Sequence, residues 1–238
     1  MGYDSKGSVL PEIQLVIFDC DGVLIDSEIV AAAAELEVYS EFGVEMEPAE
    51  FAERMAGLSS HDVRKAIEAD LGMDLPDRVI ADTRKRVNEK VIAEAQLIPD
   101  ADTVLDLLDQ ARCICSNSPP ERLKQVLSRV GLHDKFRPYV FSAQETDPPL
   151  FKPKPDLFQK ALNEFNVSPK ETVVVEDSVP GVEGARRAGC RVVGFTGATH
   201  SYRGHSDQLI EAGAETVISR LKDLPAIIEA FSMWDGVE

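Results

Sequence analysis

Residues 15–28 read LVIFDCDGVLIDSE, an apolar run that stops at Asp19 and Asp21, two acids one residue apart. An unbroken apolar run of this kind predicts a strand buried on both faces, as in a parallel sheet. Gly22, just beyond, lets the backbone turn away. Two like charges at the end of a buried strand are costly unless something positive is held between them. An EF-hand reading of DCDG fails: counted from Asp19, Leu24 takes the sixth position, where Gly is required, and Val30 the twelfth, where Glu is required.

Working outward, short strand-like runs recur at 112–116 (RCICS), 139–142 (YVFS), 172–177 (TVVVED), 191–195 (RVVGF) and 215–219 (ETVIS). Between them lie helical patterns such as PPERLKQVLSRVGL, which opens on Pro119 and Pro120, carries Leu123, Val126, Leu127 and Val130 at helical spacing, and closes at Gly131. Gly189 is placed to end another helix. Alternating strands and helices predict an α/β fold, a parallel sheet covered on both faces. One interval breaks the pattern. From the first strand to residue 112 no clear strand is legible, and helices are predicted at about 28–42, 48–56, 60–71 and 77–96. A βαβ crossover needs only a dozen residues or slightly more, so an inserted all-α module is expected. The predicted organisation is a core of residues 1–30 and 98–238 with a helical cap at 31–97. AAAAELE at 31–37 reads as an alanine-rich helix face without a functional role.

The 238 residues suit one large domain or one domain with an insertion, and 44% hydrophobic residues suffice for a sizeable core. With 42 acidic against 25 basic residues, net charge −17, nucleic acid and anionic membranes are not expected partners. Cys20, Cys113, Cys115 and Cys190 fall in or beside apolar runs, which argues for buried thiols rather than disulfides or a C-x-C metal pair. No apolar stretch is long enough to span a bilayer, and the first residues lack a signal-peptide pattern, so a cytoplasmic protein is expected.

In open α/β sheets the active crevice lies beyond the carboxyl ends of the strands. Asp19 with Asp21, Ser116 with Asn117, and Glu176 with Asp177 stand at such ends, and Lys152 follows in a loop. Four carboxylates against one ammonium call for a divalent cation; oxygen ligands suit Mg²⁺, which could also bridge to a phosphate. The D-x-D spacing suggests that Asp19 is a nucleophile and Asp21 a general acid and base.

DCDGVLIDSE, the serine of CICSN, the lysine of FKPKPDLF and the acidic pair of VVVEDSVPGVEGARRAG together resemble, in order, the four motifs of the haloacid dehalogenase superfamily over roughly residues 14–195. The resemblance implies a Rossmann-like core with a helical cap inserted after the first motif. It implies that Asp19 forms an aspartyl-phosphate, that Asp21 protonates the leaving group and then activates water, and that Ser116 and Lys152 hold the transferring phosphoryl group. It also implies Mg²⁺ bound by Asp19, Asp177 and the Asp21 carbonyl, with Glu176 a ligand or just behind.

Within the superfamily, Asp21 favours phosphate esters over carbon–halogen bonds, and no lysine precedes Lys65 in the cap to form the Schiff base of phosphonate hydrolases. The chain is most similar to β-phosphoglucomutase-like proteins and sugar-phosphate phosphatases. Where the mutase has a histidine and a phosphate-gripping arginine, this sequence has Ala31 and Ser60, so a phosphatase is expected. Its expected substrate is a small phosphorylated metabolite, a sugar phosphate or a sugar-acid phosphate resembling 6-phosphogluconate. A phosphosugar mutase and a non-catalytic phosphometabolite-binding protein are the alternatives. Asn117, Arg54, Gly57, Ser59 and Ser60 are candidate substrate contacts, although Ser59 or Ser60 would equally serve as a helix cap. His200, Arg203 and His205 lie in a loop similar to one in sugar-acid phosphatases, or else form a solvated surface loop.

Overall fold

The computed structural model describes residues 12–55 and 58–233. In chain order, β1 (Leu15–Phe18) and β2 (Ile25–Asp26) lead into four helices, α1 (Glu28–Ser40), α2 (Pro48–Met55), α3 (Ser60–Leu71) and α4 (Val79–Glu94). After β3 (Gln96–Leu97) come α5 (Ala101–Leu107), β4 (Ala111–Ser116), α6 (Pro120–Arg129), α7 (His133–Phe136), β5 (Val140–Ser142) and α8 (Asp156–Phe165). The chain ends with β6 (Thr172–Glu176), α9 (Val179–Arg187), β7 (Arg191–Phe195), α10 (His205–Ala212), β8 (Thr216–Ile218) and α11 (Leu224–Met233).

Six strands form one parallel sheet in the order β5-β4-β1-β6-β7-β8. Side chains along each strand divide by parity. Val16, Phe18, Ile114, Val173 and Val175 join one apolar cluster, and Leu15, Ile17, Cys113, Cys115 and Val174 join the other. This period-two division is why the strands read as continuous apolar runs: each face has its own helical cover. Leu105, Leu127 and Ile228 from α5, α6 and α11 cover the first face; Phe158, Val182 and Leu209 from α8, α9 and α10 cover the second. The fold is therefore α/β, Rossmann-like, with a helical cap. All four cysteines are free and buried.

The four helices between β2 and β3 surround an apolar cluster of their own, built from Leu36, Tyr39, Phe51, Met55, Val63 and Ile67 among others. Ala34, Val87 and Val91 of α1 and α4 instead join the core cluster, so these two helices serve both bodies. The sequence offered no strand in this interval, and here the structure corrects it. β2 and β3 pair antiparallel, Ile25 with Leu97 and Asp26 with Gln96, tying the chain's exit from the core to its return. Strands of two residues carry no readable alternation, and their pairing partner lies some 70 positions away, at Gln96–Leu97. Among the described residues no helix is long and apolar enough to cross a membrane.

Candidate active site

From β1 the chain passes to β4 and β5 on one side and then returns to β6 on the other, so the strand order switches beside β1. A crevice is expected at the carboxyl ends of strands flanking such a switch. Phe18 is paired with Val175, which brings Asp19 and Glu176, the next residues, abreast. The Asp19 N–H donates to the Val175 carbonyl at 3.0 Å, carrying the strand's hydrogen bonding up to the nucleophile position. Cys20 turns into the core, opposite the acids.

Asp19, Lys152, Glu176 and Asp177 are all buried. Lys152 Nζ donates to Asp19 Oδ1 and to Glu176 Oε1, each at 2.5 Å. The Lys152 backbone N–H is itself held by Asn117 Oδ1 at 3.0 Å. Glu176 Oε2 accepts from the backbone N–H of Ser178 at 3.3 Å and from its hydroxyl at 3.0 Å. Two glycines make room: a Cβ on Gly181 would lie 2.0 Å from the Glu176 carboxylate, and one on Gly22, where φ is +78°, would lie 1.8 Å from Asp177 Oδ2.

One carboxylate oxygen each of Asp19, Glu176 and Asp177 lie within 4.8 Å of one another, the one such group of three or more metal-ligating side chains among the described residues. Burial, opposed by the Lys152 ammonium and reinforced by Glu176, Asp177 and Asp21, raises the Asp19 carboxyl well above the usual range. Burial likewise raises Glu176, against Lys152 and with Asp177. Three crowded carboxylates exceed what one ammonium can balance, and the all-oxygen donor set fits a hard divalent cation. No cysteine takes part.

Asp21 is held differently. Its Oδ1 accepts from Ser27 Oγ at 2.6 Å, its Oδ2 accepts from Ser118 Oγ, and Arg122 Nη2 stands 3.6 Å from Oδ2. Burial works against ionisation here, but Arg122 and the two serine hydroxyls outweigh it and hold the carboxyl below its usual value. The two acids of the D-x-D pair are thus pushed in opposite directions by their surroundings. One acid is bonded to a lysine and the other to two hydroxyls beside a guanidinium, so the two are not interchangeable.

These groups floor a cleft of about 710 Å³ between sheet and cap. Asp19, Asp21, Ser116, Asn117, Lys152 and Asp177 line it, whereas Glu176 lies beneath. Ser116 is buried, and its Oγ accepts from the Ser118 N–H at 3.0 Å, aligning the turn after β4. Ser60 lines the cleft; Arg54 and Ser59 do not. Arg54 is paired at 2.6 Å with Asp70, on the next cap helix, and Ser59 caps α3 by accepting from the Asp62 N–H at 3.2 Å. Gly57 lies outside the described residues.

The loop after β7 belongs to the site. His200 Nε2 approaches Asp177 Oδ2 at 3.2 Å, and His205 Nε2 donates to the Asp177 carbonyl at 2.7 Å. Burial opposes charge on His200, but Asp177, Glu28 and Asp26 raise its pKa. Thr199 donates to Asp26 Oδ1 from its N–H at 3.2 Å and its hydroxyl at 2.9 Å, which anchors this loop to β2. Arg203 is exposed and does not line the cleft.

Several cleft residues were not legible in the sequence. Glu28, Ala31, Ala32 and Glu35 form one stripe of α1 facing the cleft, so the alanine-rich segment is a wall of the site. Their i, i+3, i+4, i+7 spacing was the available signal. The surrounding cleft walls, reinforced by Asp21 and Asp177, push Glu28 up to about 7, although its side chain is open to the solvent in the cleft. Burial alone pushes Glu35 up to about 7. Ser118, Arg122, Arg84 and Asn88, from α4 and the turn and helix after β4, also line the cleft.

The sequence model of the haloacid dehalogenase-like hydrolases matches residues 13–189. The chain belongs to that family. Its sequence is 26% identical over 227 residues to 6-phosphogluconate phosphatase of Escherichia coli, covering 95% of this chain and 99% of the relative. It is 30% identical over 193 residues to hexitol phosphatase B of the same species, covering 76% and 83%. A solved haloacid dehalogenase-like protein of unknown function from Agrobacterium tumefaciens has 44% identity and a TM-score of 0.88, covering 92% of this chain and 99% of that one.

Proposed function

We propose that this haloacid dehalogenase-like hydrolase is a Mg²⁺-dependent phosphatase that removes phosphate from a small sugar phosphate or sugar-acid phosphate in the cytoplasm, through an aspartyl-phosphate. The observation that carries the reading is the placement of the two acids: Asp19 at the end of β1, bonded to Lys152 and grouped with Glu176 and Asp177, and Asp21 two residues on in the same cleft, held by Ser27, Ser118 and Arg122. The activities named for the two Escherichia coli relatives support the substrate class.

In this reading an Asp19 carboxylate oxygen attacks phosphorus while the bond to the leaving oxygen breaks, and Asp21, entering the step protonated, gives that oxygen its proton. Asp21 then takes a proton from water as the water attacks phosphorus, releasing phosphate and restoring the Asp19 carboxylate. The Ser116 hydroxyl and Lys152 ammonium hold the phosphoryl oxygens, since phosphoryl transfer is chiefly a matter of positioning and charge stabilisation. Mg²⁺, held by Asp19, Asp177 and the Asp21 carbonyl with Glu176 behind, would neutralise the charge that builds up on those oxygens. The cap, residues 31–97, would select the leaving group. Ala31 and Ser60 on the cleft wall, at the positions where the mutase has its histidine and its phosphate-gripping arginine, support hydrolysis over mutase chemistry.

The test is phosphate release across a panel of phosphorylated sugars and sugar acids with Mg²⁺. Release from a subset is expected. Release from none of them, or conversion of β-glucose 1-phosphate to glucose 6-phosphate with a bisphosphate primer, would overturn the reading.

A further inference from the structure

The helices α4 and α6 bring two arginines, Arg84 and Arg122, to the cleft. Arg84 lines the cleft and has no hydrogen-bond or ion-pair partner among the described residues. Asn88, one helical turn on, shares its face, since residues four apart on a helix are neighbours. The Asn88 Oδ1 accepts from Arg122 Nη1 at 3.4 Å, which links α4 to α6 and places Arg122 beside the Arg84 face. Arg122 Nη2 donates to Ser118 Oγ, and Nε is buried without any partner. A buried guanidinium N–H left unsatisfied costs free energy unless a ligand or water supplies an acceptor.

The neighbouring helix α1, packed against α4, brings acids to the same cleft. Glu28 and Glu35 of α1 face the same cleft, and Glu35 has no hydrogen-bond partner among the described residues. Arg84 and Arg122 thus offer donors to an anionic end of a leaving group, while its hydroxyls can bond to the glutamates. The balance of charge also selects the kind of anion. Arg122 is already faced by Asp21 at 3.6 Å, so Arg84 is the guanidinium whose charge is uncompensated. That suits a monoanion better than a second phosphate, and a carboxylate is the planar monoanion that a guanidinium fork grips in two places.

We propose that Arg84 and Arg122 form a carboxylate clamp on the leaving-group side of the cleft, so that the preferred substrate is a phosphorylated sugar acid rather than a neutral sugar phosphate or a bisphosphate. This rests on the phosphatase reading above and adds the residues that choose among its substrates.

The experiment compares kcat/KM for 6-phosphogluconate, glucose 6-phosphate and a hexose bisphosphate in the unmodified chain, Arg84→Gln and Arg84→Lys. The expected result is a preference for the sugar acid that falls roughly tenfold in Arg84→Gln and returns in part in Arg84→Lys. An unchanged preference in Arg84→Gln, or a parent that favours the neutral sugar, overturns the clamp; a parent that favours the bisphosphate overturns its assignment to a carboxylate. Calorimetric binding of the same three compounds to Asp19→Asn, with and without Arg84→Gln, separates the two readings. Arginine-dependent binding of the sugar acid without turnover in the parent would sustain the clamp and sink the phosphatase, whereas turnover with binding indifferent to Arg84 would do the reverse.

Discussion

The floor of the cleft and its cap-side wall are built on opposite terms. On the floor each charged group is bonded and at least half-buried: Lys152 to two carboxylates, Glu176 to Ser178, and Asp21 to Ser27 and Ser118. On the wall, Arg84 and Glu35 face the cleft with no hydrogen-bond partner among the described residues. A network with every member satisfied is rigid and intolerant of change, because removing one partner strands the rest in a low-dielectric interior. A wall of unpaired groups can be altered at small cost in stability and is free to bond to whatever enters. In the proposed reading the difference separates reaction class from substrate choice: the first would rest on the floor and the second on the cap.

The largest expected effect is on the floor. Lys152→Met would leave Asp19 and Glu176 buried without their common partner, and breaking a buried pair from one side costs about 3–5 kcal/mol. Chemical denaturation should register that loss, together with near-complete loss of phosphate release; a variant as stable as the parent would break the comparison.

Gly22→Ala probes the same floor through space alone. The added methyl would sit 1.8 Å from Asp177 Oδ2 at a φ of +78°, so the carboxylate must move. Half-maximal activity should then require roughly 10- to 100-fold more Mg²⁺, the usual cost of disturbing the surroundings of a metal ligand. A metal titration identical to the parent's would show that Asp177 is not the ligand.

The wall should respond more weakly and with opposite sign. Glu35 is pushed up to about 7 from 4.5 by burial. Below about pH 4.5 folded and unfolded chains both hold its proton. Between there and 7 only the unfolded chain releases it, so the parent loses stability as pH rises, and above about 7 the loss is complete. Glu35→Gln should accordingly raise stability by about 1–2 kcal/mol above pH 7, water in the cleft reducing the full effect, and by little below pH 4.5. Melting curves across that range are the check, and a difference that grows toward acid would contradict the assignment.

The same contrast explains what could be read in advance. Asp19, Ser116, Lys152, Glu176 and Asp177 were legible because each stands at or just after the end of an apolar run, and strand ends in a parallel sheet converge by topology alone. The core strands and four cap helices were legible by periodicity. Arg122 was not: it meets Asp21 only because α6 folds back over a residue 101 positions earlier, as Arg122 is to Asp21. Glu28 and Glu35 were hidden in an ordinary amphipathic helix whose polar face turned out to line a cleft rather than open solvent. Arg54 was plausible as a cap cation, but Asp70 on the neighbouring helix takes it first. Whether a surface cation finds a ligand or a local carboxylate depends on tertiary distances that spacing does not carry.

The central claim, that Asp19 is phosphorylated while Asp21 moves protons, is tested most directly in Asp21→Asn with an aryl phosphate, whose good leaving group needs no protonation. Formation of the aspartyl-phosphate should then proceed, and its hydrolysis, deprived of the base, should slow by roughly 10²- to 10⁴-fold. The account predicts a burst of one equivalent of aryl alcohol per chain and, after acid quench and peptide mapping, a phosphoryl group on Asp19 in matching amount. Steady release without a burst, or a phosphoryl group on any other residue, would contradict it.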